Sequence, residues 1–182
     1  TAGEIDGRFS LDEIGYLARR GEGGIGLVMT PACYVHKSGH AFERQVGCDS
    51  EAMLPRLAEC ARAINATGAA SFLQIHHGGN AAKEKYTGQA PWAPSAIANR
   101  RGTSEMPVAM TEAQIHEVIE AFARAAVRAQ QAGFTGIEIH GANTYLFQQF
   151  FSPYTNRRED GWGAVTWENR VRFSCEVVKA VR

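Results

Sequence analysis

The sequence shows no excess of charge of either sign. Its 182 residues contain 19 lysines and arginines and 19 aspartates and glutamates, so the formal net charge is zero. Proteins that bind nucleic acids or anionic membranes through broad electrostatic surfaces carry a basic excess. The charge balance therefore argues against both kinds of partner.

Long apolar runs are also missing. No stretch approaches the roughly 18 consecutive apolar residues of a transmembrane helix, and the first ten residues, TAGEIDGRFS, are polar and unlike a signal peptide. The cysteines at positions 33, 48, 60 and 175 form no CxxC pair, which argues against a disulfide framework. We expect a cytoplasmic protein, with Cys60 and Cys175 as small buried residues within helices.

The apolar pattern predicts helices that alternate with strands. Capping boxes at Ser10–Glu13 and Thr111–Gln114 mark two helix starts; Asp49 or Ser50 caps another helix, and a last one covers about 167–181. The runs GIGLVMT, ASFLQIH and GIEIH predict buried strands, and a long loop with the basic pair Arg100–Arg101 covers about 78–110. Such alternation is typical of an α/β fold with parallel strands and right-handed crossovers.

Polar residues concentrate where the predicted strands end. The three strands run into TPACYVH, QIHHGGN and HGANTY, whereas the segments before them contain mostly glycine and small residues. In parallel α/β folds the reactive groups gather at the carboxyl ends of the strands. The sequence therefore predicts an active site at that edge.

His140, Asn143 and Tyr145 form the most informative group at these ends. His140 and Asn143 can both donate hydrogen bonds to one carbonyl oxygen, which stabilises the negative charge of an enolate. Tyr145 is protonated near neutral pH and can deliver a proton. Spacing alone supports this interpretation and a simple capped strand end about equally.

Gln74 and His76 alternate along one strand and therefore face the same side of the sheet, together with Phe72. An inward glutamine amide could hydrogen-bond the edge of a heteroaromatic ring. The alternative is that neighbouring loop backbone satisfies both side chains, and the two residues alone slightly favour that alternative.

Two further site types receive less support. Cys33, His36 and His40 have the spacing C-x2-H-x3-H, but this loose pattern lacks a second ligand pair, so no metal site is predicted. His36, Lys37 and His40 are expected in a solvated loop. The glycine-rich GEGGIG precedes a strand instead of following one, so it is not a dinucleotide-binding fingerprint.

Several longer motifs resemble one enzyme family. HGANTYLFQQFFSPYTNRRED, followed by WG and ENRVRF, closely resembles the signature of the Old Yellow Enzyme family of FMN-dependent ene reductases. LQIHHGGN, APWAPSAI and GGIGLVMTPACYV resemble that family's third-strand, loop and second-strand motifs. The resemblance covers nearly the whole chain.

The resemblance implies a TIM (β/α)8 barrel with FMN at its carboxyl-terminal mouth, reduced by NADPH or NADH. It implies that His140 and Asn143 hold the carbonyl oxygen of an enone substrate while Tyr145 protonates its α-carbon. His76 would lie in the substrate pocket. Gln74, Ala32 and His140 would contact the flavin.

The sequence departs from the family pattern in its motifs and in its length. Thr144 stands where the family usually has glycine, and Asn80 where arginine is common. A TIM barrel needs about 250 residues, so residues 1–182 are expected to form a single partial (β/α) barrel domain with about three parallel strands.

The expected function is reduction of the activated C=C bond of α,β-unsaturated carbonyl compounds by NAD(P)H. The alternative is an incomplete barrel without catalysis of its own, which acts only by association with another chain. The sequence leaves the oligomeric state open, and a homo-oligomer is compatible with it.

Overall fold

The computed structural model describes residues 3–99 and 105–182, so the predicted basic pair Arg100–Arg101 lies outside the described residues. Helices and strands alternate as the sequence predicts. The helices are α1 (Leu11–Glu22), α2 (Leu54–Asn65), α3 (Glu84–Thr87), α4 (Glu112–Gln131), α5 (Leu146–Phe151) and α6 (Trp167–Val181). The strands are β1 (Leu27–Met29), β2 (Cys33–Tyr34), β3 (Ala70–His76), β4 (Trp92–Ala93), β5 (Val108–Ala109) and β6 (Gly136–Ile139).

Strand β3 is the centre of a parallel sheet. On one side it pairs with β1, where Leu27 lies opposite Ala70, and then with β2, where Cys33 lies opposite Ile75. On the other side it pairs with β6 from Phe72 to Ile75. Three strand positions with helical crossovers confirm the predicted partial barrel, and β1 and β2 together occupy the first position.

The break between β1 and β2 is bridged by Thr30. Its backbone N–H donates to the carbonyl of Phe72 at 3.0 Å, and its hydroxyl oxygen accepts the N–H of Gln74 at 3.0 Å. The side chain thus replaces one bond of the ladder, and pairing resumes where the N–H of Val35 donates to the carbonyl of His76 at 3.0 Å. The sequence predicts one continuous run here and gives no sign of this interruption.

The two faces of β3 differ in burial. Leu73 and Ile75 are fully buried in the core that the sheet forms with the helices. Phe72 and Gln74 point to the other face and are half-buried. This alternation agrees with the predicted orientation of the strand, because successive side chains point to opposite faces.

Side-chain caps fix the starts of α1 and α4 at the predicted residues. Ser10 accepts the N–H of Glu13 at the start of α1. Thr111 and Gln114 form a reciprocal capping box at the start of α4. Such caps satisfy backbone donors that the helix itself leaves unpaired. Gly133, with φ of +86°, follows α4 and ends it in the left-handed conformation that glycine adopts readily.

Four phenylalanines join the last three helices. Phe147 of α5 contacts Phe122 of α4 at 5.3 Å and Phe173 of α6 at 5.1 Å, and Phe150 stacks on Phe173 at 4.4 Å between ring centroids. The aromatic run after the third strand therefore packs against helices, as expected, and it anchors the loop that precedes α5.

Four expectations about local structure are wrong. Neither Asp49 nor Ser50 caps α2, which begins after Met53 without a side-chain cap. The predicted loop of about 78–110 contains α3 and the strands β4 and β5, which pair in parallel. The segment with His36 and His40 is packed instead of solvated, and Ser38 and Gly39 within it are buried. Cys175 is exposed, because it lies on the outer side of α6, whereas Cys60 is buried as predicted.

In the described part of the chain, none of the helices has the length and apolar character needed to span a membrane.

One buried cation ties α4 to the segment before α2. Arg128 is 8% exposed; its Nε donates to Glu51 Oε1 at 3.0 Å and its Nη1 to the carbonyl of Cys48 at 3.0 Å. By contrast, Arg124 on the exposed side of α4 pairs with Glu120 at 3.2 Å. The two positions therefore compare a buried and an exposed arginine on one helix.

We expect Arg128→Ala to lower the free energy of unfolding by about 2–3 kcal/mol, because it removes two charge-assisted hydrogen bonds and leaves the Cys48 carbonyl unsatisfied. Arg124→Ala should change the free energy of unfolding by about 0.5 kcal/mol or less. Urea unfolding of both variants measures the difference, and equal losses would contradict the structural role of Arg128.

Candidate active site

Three rings meet at the carboxyl end of the sheet. The ring of His76, at the end of β3, lies 4.4 Å from that of Tyr145 and 5.3 Å from that of His140, between centroids. His140 and Tyr145 are 5.1 Å apart. We call these residues the three-ring cluster. The structure thus brings together three of the predicted site residues from two neighbouring strand ends.

His76 is fully buried, and its hydrogen bonding is one-sided. Its Nδ1 lies 3.1 Å from Nε2 of Gln45, while its Nε2 has no hydrogen-bond partner in the described part of the chain. Burial, reinforced by the neighbouring His140, lowers the pKa of His76 to about 3. His76 is therefore a neutral imidazole at physiological pH.

His140 follows β6 directly and is held by the sheet. Its backbone N–H donates to the carbonyl of Ile75 at 2.9 Å, which continues the ladder by one residue. Burial lowers the pKa of its imidazole below the ordinary value, although the nearby Glu138 opposes this effect. A neutral imidazole can still donate one hydrogen bond to a ligand.

Asn143 and Thr144 form a left-handed turn before Tyr145. Their φ values are +58° and +63°, and the second is unusual because threonine is β-branched. The turn is held from α5: Gln148 accepts the N–H of Thr144, and Gln149 Nε2 donates to its carbonyl at 2.8 Å. Threonine therefore occupies the backbone conformation for which glycine, the usual family residue, is suited.

Asn143 does not belong to the three-ring cluster. It is exposed and lines an adjacent cleft of about 500 Å³, whose walls also include Tyr145, Phe42, Lys83 and Tyr86. Phe42 joins the two parts of the site, because its ring lies 6.0 Å from those of both His76 and Tyr145. The predicted residues thus share one rim, with three rings at its centre and the asparagine in the cleft.

Gln74 lies on the sheet face opposite the helices. Its Nε2 donates to Glu138 Oε1 at 2.6 Å and contacts the sulfur of Met29 at 3.4 Å. Side chains, and not loop backbone, are therefore its partners. Ala32 is half-buried in the break between β1 and β2, and its carbonyl accepts a hydrogen bond from Gln45 at 3.0 Å.

The C-x2-H-x3-H residues do not converge. Cys33 is buried against Thr30, His36 lies beside Ser38 and Glu117, and His40 stacks between Tyr34 and Tyr86 at 4.6 and 4.7 Å. Within residues 3–99 and 105–182, no group of three or more His, Cys, Asp or Glu side chains could hold a metal ion.

Gln45 and Gln149 are site residues that the sequence does not reveal. Both are buried, and each uses its amide to connect segments far apart in the chain. Gln45 stands in the polar run ERQ, and Gln149 in the helix LFQQFF, where neither periodicity nor a motif distinguishes it. Only the packed structure shows what they contact.

Comparisons with known proteins identify the family of this chain. Residues 4–182 match the family model described as "NADH:flavin oxidoreductase / NADH oxidase family". The chain belongs to this family. The predicted resemblance to Old Yellow Enzymes and their TIM barrel is therefore confirmed, and the cofactors of the family, FMN and NADH or NADPH, are those expected from the sequence.

Relatives in the NADH:flavin oxidoreductase family are longer than this chain. The chain is 42% identical over 175 residues to the NADH:acrylate oxidoreductase of Vibrio harveyi, covering 96% of this chain and 17% of that protein. It is 39% identical to the NADPH dehydrogenase of Clostridium acetobutylicum, covering 90% of this chain and 47% of the relative.

Solved structures of the family superpose closely on this chain. Morphinone reductase matches with a TM-score of 0.93 and 29% identity, covering 99% of this chain and 52% of that one. The complex of 2-naphthoyl-CoA reductase with 2-naphthoyl-CoA matches with a TM-score of 0.94 and 34% identity, covering 99% and 29%. The chain thus spans about half the length of morphinone reductase and less than a third of that of 2-naphthoyl-CoA reductase.

Two buried histidines should make the protein acid-sensitive. Burial lowers the pKa of His76 to about 3 and that of His77 well below its usual range. Both regain a pKa near 6.5 when the chain unfolds, so the unfolded state binds more protons below that pH. The free energy of unfolding is therefore not reduced by these histidines well above pH 6.5, and it falls as the pH drops below that value.

Between pH 7.5 and pH 5.0 we expect each buried histidine to remove about 2 kcal/mol from the free energy of unfolding. His77→Gln should therefore reduce the pH dependence measured by urea unfolding. His116→Gln, at an exposed position of α4, is the matched control and should leave that dependence unchanged. Identical slopes in the two variants would contradict the assignment.

Proposed function

We propose that this chain contributes the substrate-activating part of an FMN-dependent enzyme that uses NADH or NADPH to reduce the activated C=C bond of α,β-unsaturated carbonyl compounds. The observation that supports this most directly is the three-ring cluster at the carboxyl ends of β3 and β6, beside Asn143 in the adjoining cleft. The family membership and the acrylate-reducing relative agree with such a reaction.

His140 and Asn143 are proposed to hold the substrate carbonyl oxygen. Conjugate reduction moves negative charge onto this oxygen, and hydrogen-bond donors fixed beside it stabilise the enolate more than the ground state. His140 is fixed by the sheet ladder, and Asn143 is fixed by the turn that Gln148 and Gln149 brace. The backbone at both residues is therefore held in place before the substrate arrives.

Tyr145 is proposed to protonate the α-carbon of the substrate. It stands at the start of α5, half-buried, with its ring edge-on to both histidines of the three-ring cluster. A protonated phenol can transfer its proton to a carbanion-like carbon. These ring contacts restrict the orientation of Tyr145, which also lines the cleft.

The sheet face opposite the helices is where these residues would hold FMN. Gln74 offers a half-buried amide, Ala32 offers a small side chain, and His140 stands at the adjacent strand end. His76 supplies an orphaned buried nitrogen at the same rim, which fits a site that receives a polar ligand. When bound, the reduced flavin would supply the hydride that the substrate's β-carbon accepts.

In the flavin-loaded enzyme, His140→Ala or Asn143→Ala should slow enone reduction about 100-fold, since each removes one donor to the developing oxyanion. Flavin reduction by NADPH should change much less. Stopped-flow measurement of the two half-reactions separates these effects, with His116→Ala as the exposed control. If flavin reduction falls equally, the proposed carbonyl-binding role is wrong.

Tyr145→Phe should lower enone reduction by about 100-fold or more while substrate binding is retained, because it removes the proton donor and keeps the ring. Tyr16→Phe, on the exposed side of α1, is the matched control. Unchanged turnover in Tyr145→Phe would assign the proton transfer to another group.

A second candidate is a non-catalytic partial barrel that acts by association with another chain. The favouring observation is that, among the described residues, β1 and β6 each pair with no strand other than β3, while the outer edge of β2 has only the bridge between Tyr34 and Gly47. Purified protein that binds FMN and bleaches with NADPH would support the enzyme. A colourless protein that takes up no FMN would support this second candidate.

A further inference from the structure

We propose that Gln45 is a positioning residue that fixes His76 as a neutral imidazole with its proton on Nε2, so that His76 donates a hydrogen bond to an oxygen atom of the bound substrate. This inference rests on the proposed function for the identity of the substrate. It adds a third hydrogen-bond donor to the site, and it assigns a role to a glutamine outside every motif noted in the sequence.

The orientation of the Gln45 amide is determined by its partners. Its Oε1 accepts the backbone N–H of Ala41 at 2.8 Å and that of Phe42 at 3.3 Å. A backbone N–H can only donate, so the atom facing these two groups is the oxygen. The amide nitrogen then donates to the carbonyl of Ala32 at 3.0 Å, which excludes the flipped orientation a second time.

This orientation determines the tautomer of His76. The second hydrogen of the Gln45 nitrogen points to His76 Nδ1 at 3.1 Å, so Nδ1 must accept. In a neutral imidazole the proton then lies on Nε2. Gln45 is itself fully buried and uses both ends of its amide in these contacts, so it cannot turn away without losing them.

The proton on His76 Nε2 has no acceptor in the described part of the chain, although the ring is fully buried. Buried donors without acceptors are rare in native structures and unfavourable, and at a functional site they indicate a ligand. The neighbours of the ring are Tyr145 and His140, the residues proposed to activate the substrate. We assign the missing acceptor to an oxygen of the substrate, from either a carbonyl or a carboxylate group, which reaches Nε2 only when a neighbouring ring moves aside, because this atom has no exposed surface.

The same glutamine connects two parts of the site. Through Ala32 it holds the backbone next to the proposed flavin position, and through Phe42 it holds the backbone of a ring that borders the cleft. A change at position 45 would therefore alter both the tautomer and the shape of the pocket. The test must separate these two effects.

The first measurement is the tautomer of His76 in the unmodified flavin-loaded protein. Nitrogen-15 NMR of labelled histidine, assigned with His76→Gln, should show Nδ1 without a proton and Nε2 with one at neutral pH. Addition of cyclohex-2-enone or acrylate should shift the Nε2 resonance, and the ligand that shifts it identifies the oxygen source. A proton on Nδ1, or no shift with either ligand, would overturn the proposal.

The second measurement uses Gln45→Glu, which keeps an oxygen for Ala41 and Phe42 but replaces the donor toward His76 with an acceptor. His76 Nδ1 should then gain a proton, and KM for the ligand that shifts Nε2 should rise about tenfold with a smaller change in kcat. Gln131→Glu, on the exposed side of α4, is the control and should change neither quantity.

The outcomes distinguish this proposal from the proposed function. An Nδ1 that stays unprotonated in Gln45→Glu would overturn the role of Gln45, and an altered tautomer with unchanged KM would overturn the donor role of His76. Absence of enone and acrylate turnover in the unmodified flavin-loaded protein would instead refute the proposed function. If the glutamate variant does not fold, the tautomer of the unmodified protein still decides the assignment.

Discussion

The parallel pairing of β3 on both of its sides is the constraint on which the rest of the structure depends. Because β3 pairs with β1 and β2 on one side and β6 on the other, its residues cannot slip in register without exchanging the two faces of the sheet. Leu73 and Ile75 enter the helix-facing core, and Gln74 and His76 must therefore face the opposite side. The same pairing brings His140 beside Ile75, so core packing and site geometry have one origin.

Beyond the strand ends, where the backbone hydrogen bonds of the sheet stop, buried amide side chains connect the segments. Gln45 connects the break after β1 to the end of β3, and Gln149 connects the start of the segment after β3 to the turn before α5. An amide offers donors and an acceptor without a net charge, so it can be buried among backbone groups at little cost once all of its bonds are made. The close approach of Gln149 to Gly79 leaves no space for a Cβ atom there.

The sequence predicted those features that depend on local chemistry. The caps at Ser10 and Thr111 satisfy neighbouring donors, and the strand ASFLQIH is defined by its own apolar run, so both appear where expected. The two-residue β2 and the position of Gln45 depend on contacts with segments more than ten residues away, and no local pattern reports them. Cys175 shows the same limit, since periodicity identified its helix but not the face that would be covered.

The turn at Asn143 and Thr144 has an unfavourable backbone conformation that hydrogen bonds from α5 stabilise. Asparagine tolerates a positive φ because its short polar side chain bonds locally, but a β-branched residue such as Thr144 does so at a cost. Such a conformation persists only where the surroundings over-determine it, and here both backbone groups of Thr144 are bonded from α5, which the phenylalanines of α4 and α6 hold in turn. The packing of the helices thus offsets the unfavourable backbone conformation that places Asn143 and Tyr145 at the rim. A substitution in that core would affect the candidate site through this turn without changing any of its residues.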